Sequence, residues 1–286
     1  MTRPIQRAGH IGDRDNRFCG HGVFTELHAA IRDPFELVAL AFGVRLAEGD
    51  REVVRCMALA LCSPDARVWP LKLARTLAAY GNPIAGSFGA QLASDSDRMG
   101  PGTAAGAAAS LVWLAEELAA AGVDASTDDA TLDAELAAAV ERHRACRGRI
   151  MGFGVPFRAE DERLLALREM LAGHPATRRP TWRLFERLAR VMRAHGGLAP
   201  NIVIALAALL VDLGLAPHRA GMFFAMIMAP NFCAHALDAA DHDRGLLIEL
   251  PSEALAYQGP APRRSPAAAA RAAVGSAAPA RRSLAW

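Results

Sequence analysis

The chain has 286 residues, enough for one large domain or two interleaved ones with a buried core. Apolar residues make up 52% and aromatics only 6%, so Ala, Leu and Val carry the core, which favours close-packed helices over a β-sandwich. Thirty-two Lys and Arg against 30 Asp and Glu leave +2, which argues against nucleic acid or a membrane surface as partner.

Strand signals are nearly absent, and the fold class read from the pattern is all-α. Asp33-Pro34 marks a first helix start, with a polar cap and then a proline where no amide donor is needed, and the helix is expected over 35–47. Residues 52–61 continue helically, and 71–80 follow, closed by Gly81-Asn82-Pro83. An alanine-rich helix is expected over 104–121, ending at Gly122. Residues 132–147 are amphipathic, with Leu132, Leu136 and Val140 on one face. Two charged amphipathic helices are expected over 160–172 and 181–194. The segment 202–213 is apolar nearly all round and should be buried. A last apolar helix over 218–238 contains Pro230, which should kink or split it. From Pro260 the composition turns to Ala, Pro, Ser and Arg without acidic residues, so 261–286 is expected to be a disordered basic tail. No internal repeat is evident.

Cys19, Cys56, Cys62, Cys146 and Cys233 are scattered, odd in number and without C-x-x-C spacing. Free thiols in a reducing cytoplasm fit this better than disulfides or a zinc site. No apolar N-terminal stretch resembles a secretory signal, and the runs 202–211 and 104–115 fall short of the ~18 residues that span a bilayer. The expectation is a cytoplasmic protein without a membrane segment.

Four segments in order carry a family likeness. Leu73-Ala74-Arg75-Thr76-Leu77-Ala78-Ala79-Tyr80-Gly81 is similar to A-A-R-x-x-A-S-T-G, and Gly100-Pro101-Gly102-Thr103-Ala104-Ala105 to G-P-L-H-G-G. Met151-Gly152-Phe153-Gly154-Val155-Pro156 is similar to P-G-F-G-H-P, and Pro200-Asn201-Ile202-Val203-Ile204-Ala205-Leu206 to P-N-V-D-F-A-L. Ala234-His235-Ala236-Leu237 and Tyr257-Gln258-Gly259-Pro260 add softer matches to A-H-A-L-E and Y-x-G-P. Over roughly 14–263 the chain resembles citrate synthases and the shorter citryl-CoA lyases. The resemblance implies an all-helical obligate dimer. Residues 1–104 and 215–260 would form a large domain, and 105–214 a smaller mobile one.

In that family two histidines and an aspartate perform general acid–base catalysis on acetyl-CoA and oxaloacetate, which requires titratable side chains. The matching positions are Thr103, Val155 and Val203. The dicarboxylate site fares no better. Its D-H pair falls on Ser63 and Pro64, one arginine on Met228, and the arginine donated across the dimer on Leu250 before Pro251. Neutral replacements forfeit charge-assisted hydrogen bonds to a carboxylate. Only Arg163, in Asp161-Glu162-Arg163, corresponds to a family arginine, one residue short of the expected spacing from Val155; the R-G-Y motif has become Cys19-Gly20-His21.

Coenzyme recognition in the family uses backbone around the G-F-G turn and nearby basic residues. Gly152, Phe153 and Gly154 are present, flanked by Arg147, Arg149 and Arg158. The alternative is that the glycines make a turn and the arginines a solvated helix end.

Other polar groups have plainer readings. Asp65 and Arg67 can form a polar site or a surface loop, and His235 reads as a satisfied core histidine. Asp95-Ser96-Asp97 reads as a solvated loop, and Asp128-Asp129 as a helix start. No metal site is expected.

The functional expectation is a citrate synthase-like, citryl-CoA lyase-like relative without family catalysis, as a homodimer or beside an intact paralogue. The alternative is a divergent acyl-CoA carbon–carbon lyase or transferase acting on a less acidic substrate, with Thr103, His21 and Arg163 as its polar groups. A coenzyme A thioester is the expected ligand, and an apolar small molecule in the emptied cleft is a third possibility.

Overall fold

The structure is a computed structural model. It describes residues 7–62, 65–96, 99–123, 127–155, 158–243, 251–256, 258–260 and 265. Residues 1–247 form one compact unit and 248–286 a second. In the second, the described residues include a short 3-10 turn, Ser252–Ala254. The expected tail, 261–286, lies outside the described residues except for Ser265.

The first unit opens with three two-residue strands, β1 (Gly9–His10), β2 (Arg17–Phe18) and β3 (His21–Gly22), paired antiparallel in that order. They are too short for an alternating pattern to register in the sequence. Asp15 staples this region to the next turn, accepting from Thr25 Oγ1 at 2.5 Å and from Phe24 N at 2.8 Å. A π turn, Val23–Leu27, then leads into α1 (His28–Ala30).

Helix α2 (Pro34–Ala41) begins as the sequence predicts, with the Asp33 carboxylate accepting from the amides of Phe35 and Glu36. It ends six residues before the expected boundary because Gly43, at φ +80, closes it. There Gly43 N donates to Leu40 O at 2.9 Å and Val44 N to Ala39 O at 3.0 Å, a Schellman stop. Helices α3 (Glu48–Ala60) and α4 (Trp69–Ala78) follow. A π turn, Ala85–Gly89, continues into α5 (Ala90–Ala93), an element the sequence reading did not anticipate. Gly86 permits its close crossing, since a Cβ there would lie 2.6 Å from Ala78 Cβ and 2.7 Å from Ala74 O.

The rest is helical: α6 (Pro101–Ala120), α7 (Asp129–Arg147), α8 (Glu162–Met170), a 3-10 turn at Pro175–Arg178, α9 (Pro180–Ala194), α10 (Ile202–Asp212) and α11 (Pro217–His242). Asp128, Asp161 and Asn201 cap α7, α8 and α10 with their side chains. Helix α10 buries residues 204–210 without interruption, packed between α6 and α9.

Helix α11 runs unbroken through Pro230 and packs on α6 and α4. An internal proline costs about 3 kcal/mol. Phe223, Ile227 and Phe232 are buried on both sides of it, each contributing about 1.5–3 kcal/mol, so packing outweighs the lost hydrogen bond. By length and composition alone α11 could cross a membrane. Here it is the helix around which α4 and α6 assemble. Beside it, Ile84, Phe88 and Leu92, four residues apart, remain 71%, 61% and 79% exposed.

Candidate functional site

The Gly152-Phe153-Gly154 turn is pinned to the strand-like segment before α10. Gly154 N donates to Ala199 O at 2.7 Å and Asn201 N to Gly152 O at 2.8 Å, while Asn201 Nδ2 reaches Gly154 O at 2.9 Å. Asn201 Oδ1 meanwhile accepts from Val203 N at 3.0 Å, so one side chain both caps α10 and holds the turn. Gly152 has φ +90, and a Cβ there would overlap Ile204 Cβ and stand 2.8 Å from Ile204 N. Met151 lies against Gly106 of α6. The turn is thus bracketed by the N-terminal halves of α6 and α10, which carry Thr103 and Val203.

At this junction Thr103 is buried, and its hydroxyl donates to Gly100 O at 2.6 Å. The neighbouring Gly102 amide is held by Asp95 Oδ1 at 2.6 Å, which gives that loop aspartate a structural task. Val155 and Val203 are half-buried. Val203 and Met228 pack against the main apolar core. Ser63, Pro64 and Leu250 lie outside the described residues.

Arg163 grips Asp161 with two bonds, Nε to Oδ1 at 2.9 Å and Nη2 to Oδ2 at 2.8 Å. Asp161 Oδ2 also accepts from Ile202 N at 2.8 Å. Burial alone pushes the Asp161 carboxyl up, but Arg163 and the Ile202 and Arg163 amides outweigh it and hold it below the usual carboxylate range. Sequence reasoning passed over Asp161 and Asn201 as functional positions. The signal available was a capping residue directly before each helix.

His21 lies on β3, with Nδ1 3.1 Å from Glu26 Oε2 and the Arg45 guanidinium 3.3–3.4 Å from both ring nitrogens. Thr103, His21 and Arg163 are therefore each bonded within separate segments. Asp65 and Arg67 bond to each other in an exposed loop, where Arg67 lowers the Asp65 carboxyl to about 2. His235 is half-buried on α11 with its Nδ1 buried and unpartnered, so that nitrogen is not satisfied in the core.

Around the glycine turn, Arg149 is exposed, Arg158 pairs with Glu162, and Arg147 stands 5.8 Å over the Trp113 ring. Among the described residues no group of three His, Cys, Asp or Glu is placed to hold a metal ion. The five cysteines are unpaired.

The profile of the family "Citrate synthase, C-terminal domain" matches residues 101–251, just over half of the chain. No curated protein matches in sequence. Among solved structures, a citryl-CoA lyase from Hydrogenobacter thermophilus superposes with a TM-score of 0.70 at 17% identity, over 92% of this chain and 97% of that one. An ATP citrate lyase from Methanothrix soehngenii, in complex with citrate and coenzyme A, gives 0.68 at 16% identity, over 91% and 42%. A citrate synthase from Thermoplasma acidophilum, in ternary complex with carboxymethyl coenzyme A and oxaloacetate, gives 0.53 at 17%, over 82% and 58%. The profile match, the all-helical fold it shares with these structures and the ordered motifs together show that the chain belongs to the citrate synthase and citryl-CoA lyase superfamily.

Proposed function

We propose that the chain is a non-catalytic or regulatory member of its superfamily, working as a homodimer or as a subunit beside an intact paralogue, with a coenzyme A thioester as ligand. The observation that carries this reading is Thr103. Its hydroxyl is buried and committed to the Gly100 carbonyl, at the position where the family resemblance calls for a histidine. A threonine is not a general base near neutral pH, and Val155 and Val203 supply no titratable group. Arg163, the arginine left for a carboxylate, already spends its bidentate Nε/Nη2 edge on Asp161.

The coenzyme half of the reading rests on the turn at Gly152 to Gly154 and on exposed Arg149. Two of the solved relatives hold coenzyme A or its carboxymethyl derivative. In this reading residues 105–214 act as the smaller body. The exposed stripe of Ile84, Phe88 and Leu92 supports pairing with a second subunit.

Two measurements test the proposal. Coenzyme A binding is followed by calorimetry, and exchange of the acetyl-CoA methyl protons in D2O by NMR, with and without oxaloacetate. Binding with exchange at the buffer rate is expected. Exchange or citryl-CoA cleavage at an enzymatic rate would overturn the non-catalytic assignment.

A second reading has one observation in its favour: the replacements Val155, Val203 and Met228 are apolar. A cleft so lined disfavours citrate and suits a less acidic acyl-CoA substrate of a divergent lyase or transferase. Turnover of a branched or aliphatic acyl-CoA, lost in Thr103→Val, would favour it.

A further inference from the structure

A cavity of about 140 Å³ lies between α1, α2 and the start of α3, and it shares no residue with the glycine turn or the α6 and α10 helix ends. Its walls are Leu27, Ile31, Leu40, Val44 and Leu46. One side is polar, formed by Glu36, Arg45 and Arg51.

That polar side is unbalanced. The Glu36 side chain is 6% exposed, and its Oε1 accepts from Arg32 N at 2.9 Å. Its Oε2 stands 3.0 Å from Arg51 Nε, yet this buried N–H is off the line of a hydrogen bond and has no other acceptor. Arg45 brings a second guanidinium, which rests on the edge of His21. The charged lining residues are two guanidinium groups against one carboxylate, so the lining carries one excess positive charge, and the buried Arg51 Nε–H has no acceptor.

We propose that this cavity binds a short-chain monocarboxylate, with its carboxylate on Arg45 and Arg51 and its tail among the leucines. The guanidinium fork suits a planar carboxylate, and the apolar walls exclude a second charge. The volume is close to that of engineered apolar cavities that hold a benzene molecule, room for an acid of about four carbons in all. An amine is disfavoured because it would add positive charge where positive charge is already in excess.

The experiment titrates the full chain with butyrate, butylamine and butanol, followed by saturation-transfer NMR. Butyrate should saturate, butylamine should give no saturable signal, and butanol should bind at least about tenfold more weakly, the factor expected for losing a charge-assisted bond. Arg45 is exposed, so Arg45→Met should leave thermal unfolding unchanged while weakening butyrate about tenfold. Glu36→Gln removes the competing negative charge and should hold or raise butyrate affinity. The proposal is overturned if butyrate gives no saturable signal, if butylamine binds as tightly, or if Arg45→Met and Arg51→Met both bind butyrate like the parent chain.

Discussion

Asp161 and Ile202, separated by 41 residues, are joined by a buried hydrogen bond of 2.8 Å from the Ile202 amide to the carboxylate. The same carboxylate grips Arg163 and caps α8, so one side chain fixes the angle between α8 and α10. Asp161 is buried but Arg163 is 34% exposed and can turn to water, so removing the carboxylate costs mainly the unsatisfied Ile202 and Arg163 amides, about 1–3 kcal/mol.

Asp161→Ala should therefore lower the unfolding free energy from urea melts by an amount in that range, and Asp161→Asn by less, since it keeps one acceptor. The pH dependence follows from the direction of the shift. A carboxyl held below its usual value stabilises the fold fully above about pH 4, and that stability is lost as pH falls through the folded-state value. Asp161→Asn should flatten the acid limb of the stability profile. An Asp161→Ala chain within 1 kcal/mol of the parent, by urea unfolding, would show that the bridge carries little.

Gly152 and Gly148 separate strain from collision. Both have positive φ, +90 and +79, but a Cβ at Gly148 meets nothing within 4 Å. Gly148 also has ψ −155, a region essentially confined to glycine, so Gly148→Ala should cost about 1–3 kcal/mol in backbone strain. Gly152→Ala adds an overlap with α10 to its own strain and should cost about 1–3 kcal/mol more than Gly148→Ala. Paired denaturant melts measure both. Equal losses would mean that α10 shifts to admit the methyl.

Much of this was legible in the sequence, for identifiable reasons. The Asp33-Pro34 start of α2 and the Asp128 start of α7 rest on local chemistry that no tertiary contact opposes. The expected boundary of α2 ran past Gly43 because the apolar pattern continues through Val44 and Leu46, which pack on the core outside any helix once the positive φ of Gly43 has closed it. The segment 85–93 escaped because Gly86 and Gly89 suggest a loop, whereas the crossing over Ala78 and Ala74 is what requires a glycine at position 86. At the site, the motifs located the turn and the helix ends. They did not show that Thr103 and Arg163 are bonded within their own segments, since a hydrogen-bond partner is a property of three dimensions. The same holds for the unpartnered His235 Nδ1 and Arg51 Nε.

Arg149 tests the coenzyme reading directly. It is exposed two residues from the end of α7 and beside the glycine turn, and a melting curve of the variant separates an effect on binding from one on the fold. A charge-assisted contact to a phosphate contributes about 1.5–3 kcal/mol. Arg149→Glu should weaken coenzyme A roughly tenfold or more by calorimetry, with dephospho-coenzyme A reporting whether the 3′-phosphate or the pyrophosphate is met. Unchanged affinity would place the phosphates elsewhere.

Phe88 tests assembly. Its ring is 61% exposed between Ile84 and Leu92, and a stable interface of about 1,000 Å² or more would cover all three. Under the paired reading, light scattering on the parent chain gives twice the mass of one chain. Phe88→Asp should yield monomer at micromolar concentration while holding its melting curve in the monomeric range. A parent chain that is monomeric when purified alone would instead direct attention to the paralogue-bound form.

His143 supplies the second pH effect. Its side chain is buried against Trp113, at 5.2 Å edge to face, and its ring lies 3.2 Å from Gly148 O at the end of α7. Burial pushes the imidazole below its ordinary value; the Gly148 carbonyl opposes this and Arg147 adds to it. A histidine kept neutral by folding contributes fully above its unfolded value of about 6.5, and that contribution declines as pH falls towards the folded value. Stability of the parent chain should therefore start to drop as pH falls below about 6.5, above the range in which Asp161 protonates. His143→Leu loses the carbonyl bond, about 1 kcal/mol at neutral pH, but removes the titration. Urea midpoints at pH 7.5, 6 and 5 should converge for parent and variant as the acid is approached. Parallel profiles would assign the slope to other groups and leave His143 as a packing residue at the joint between α7 and the glycine turn.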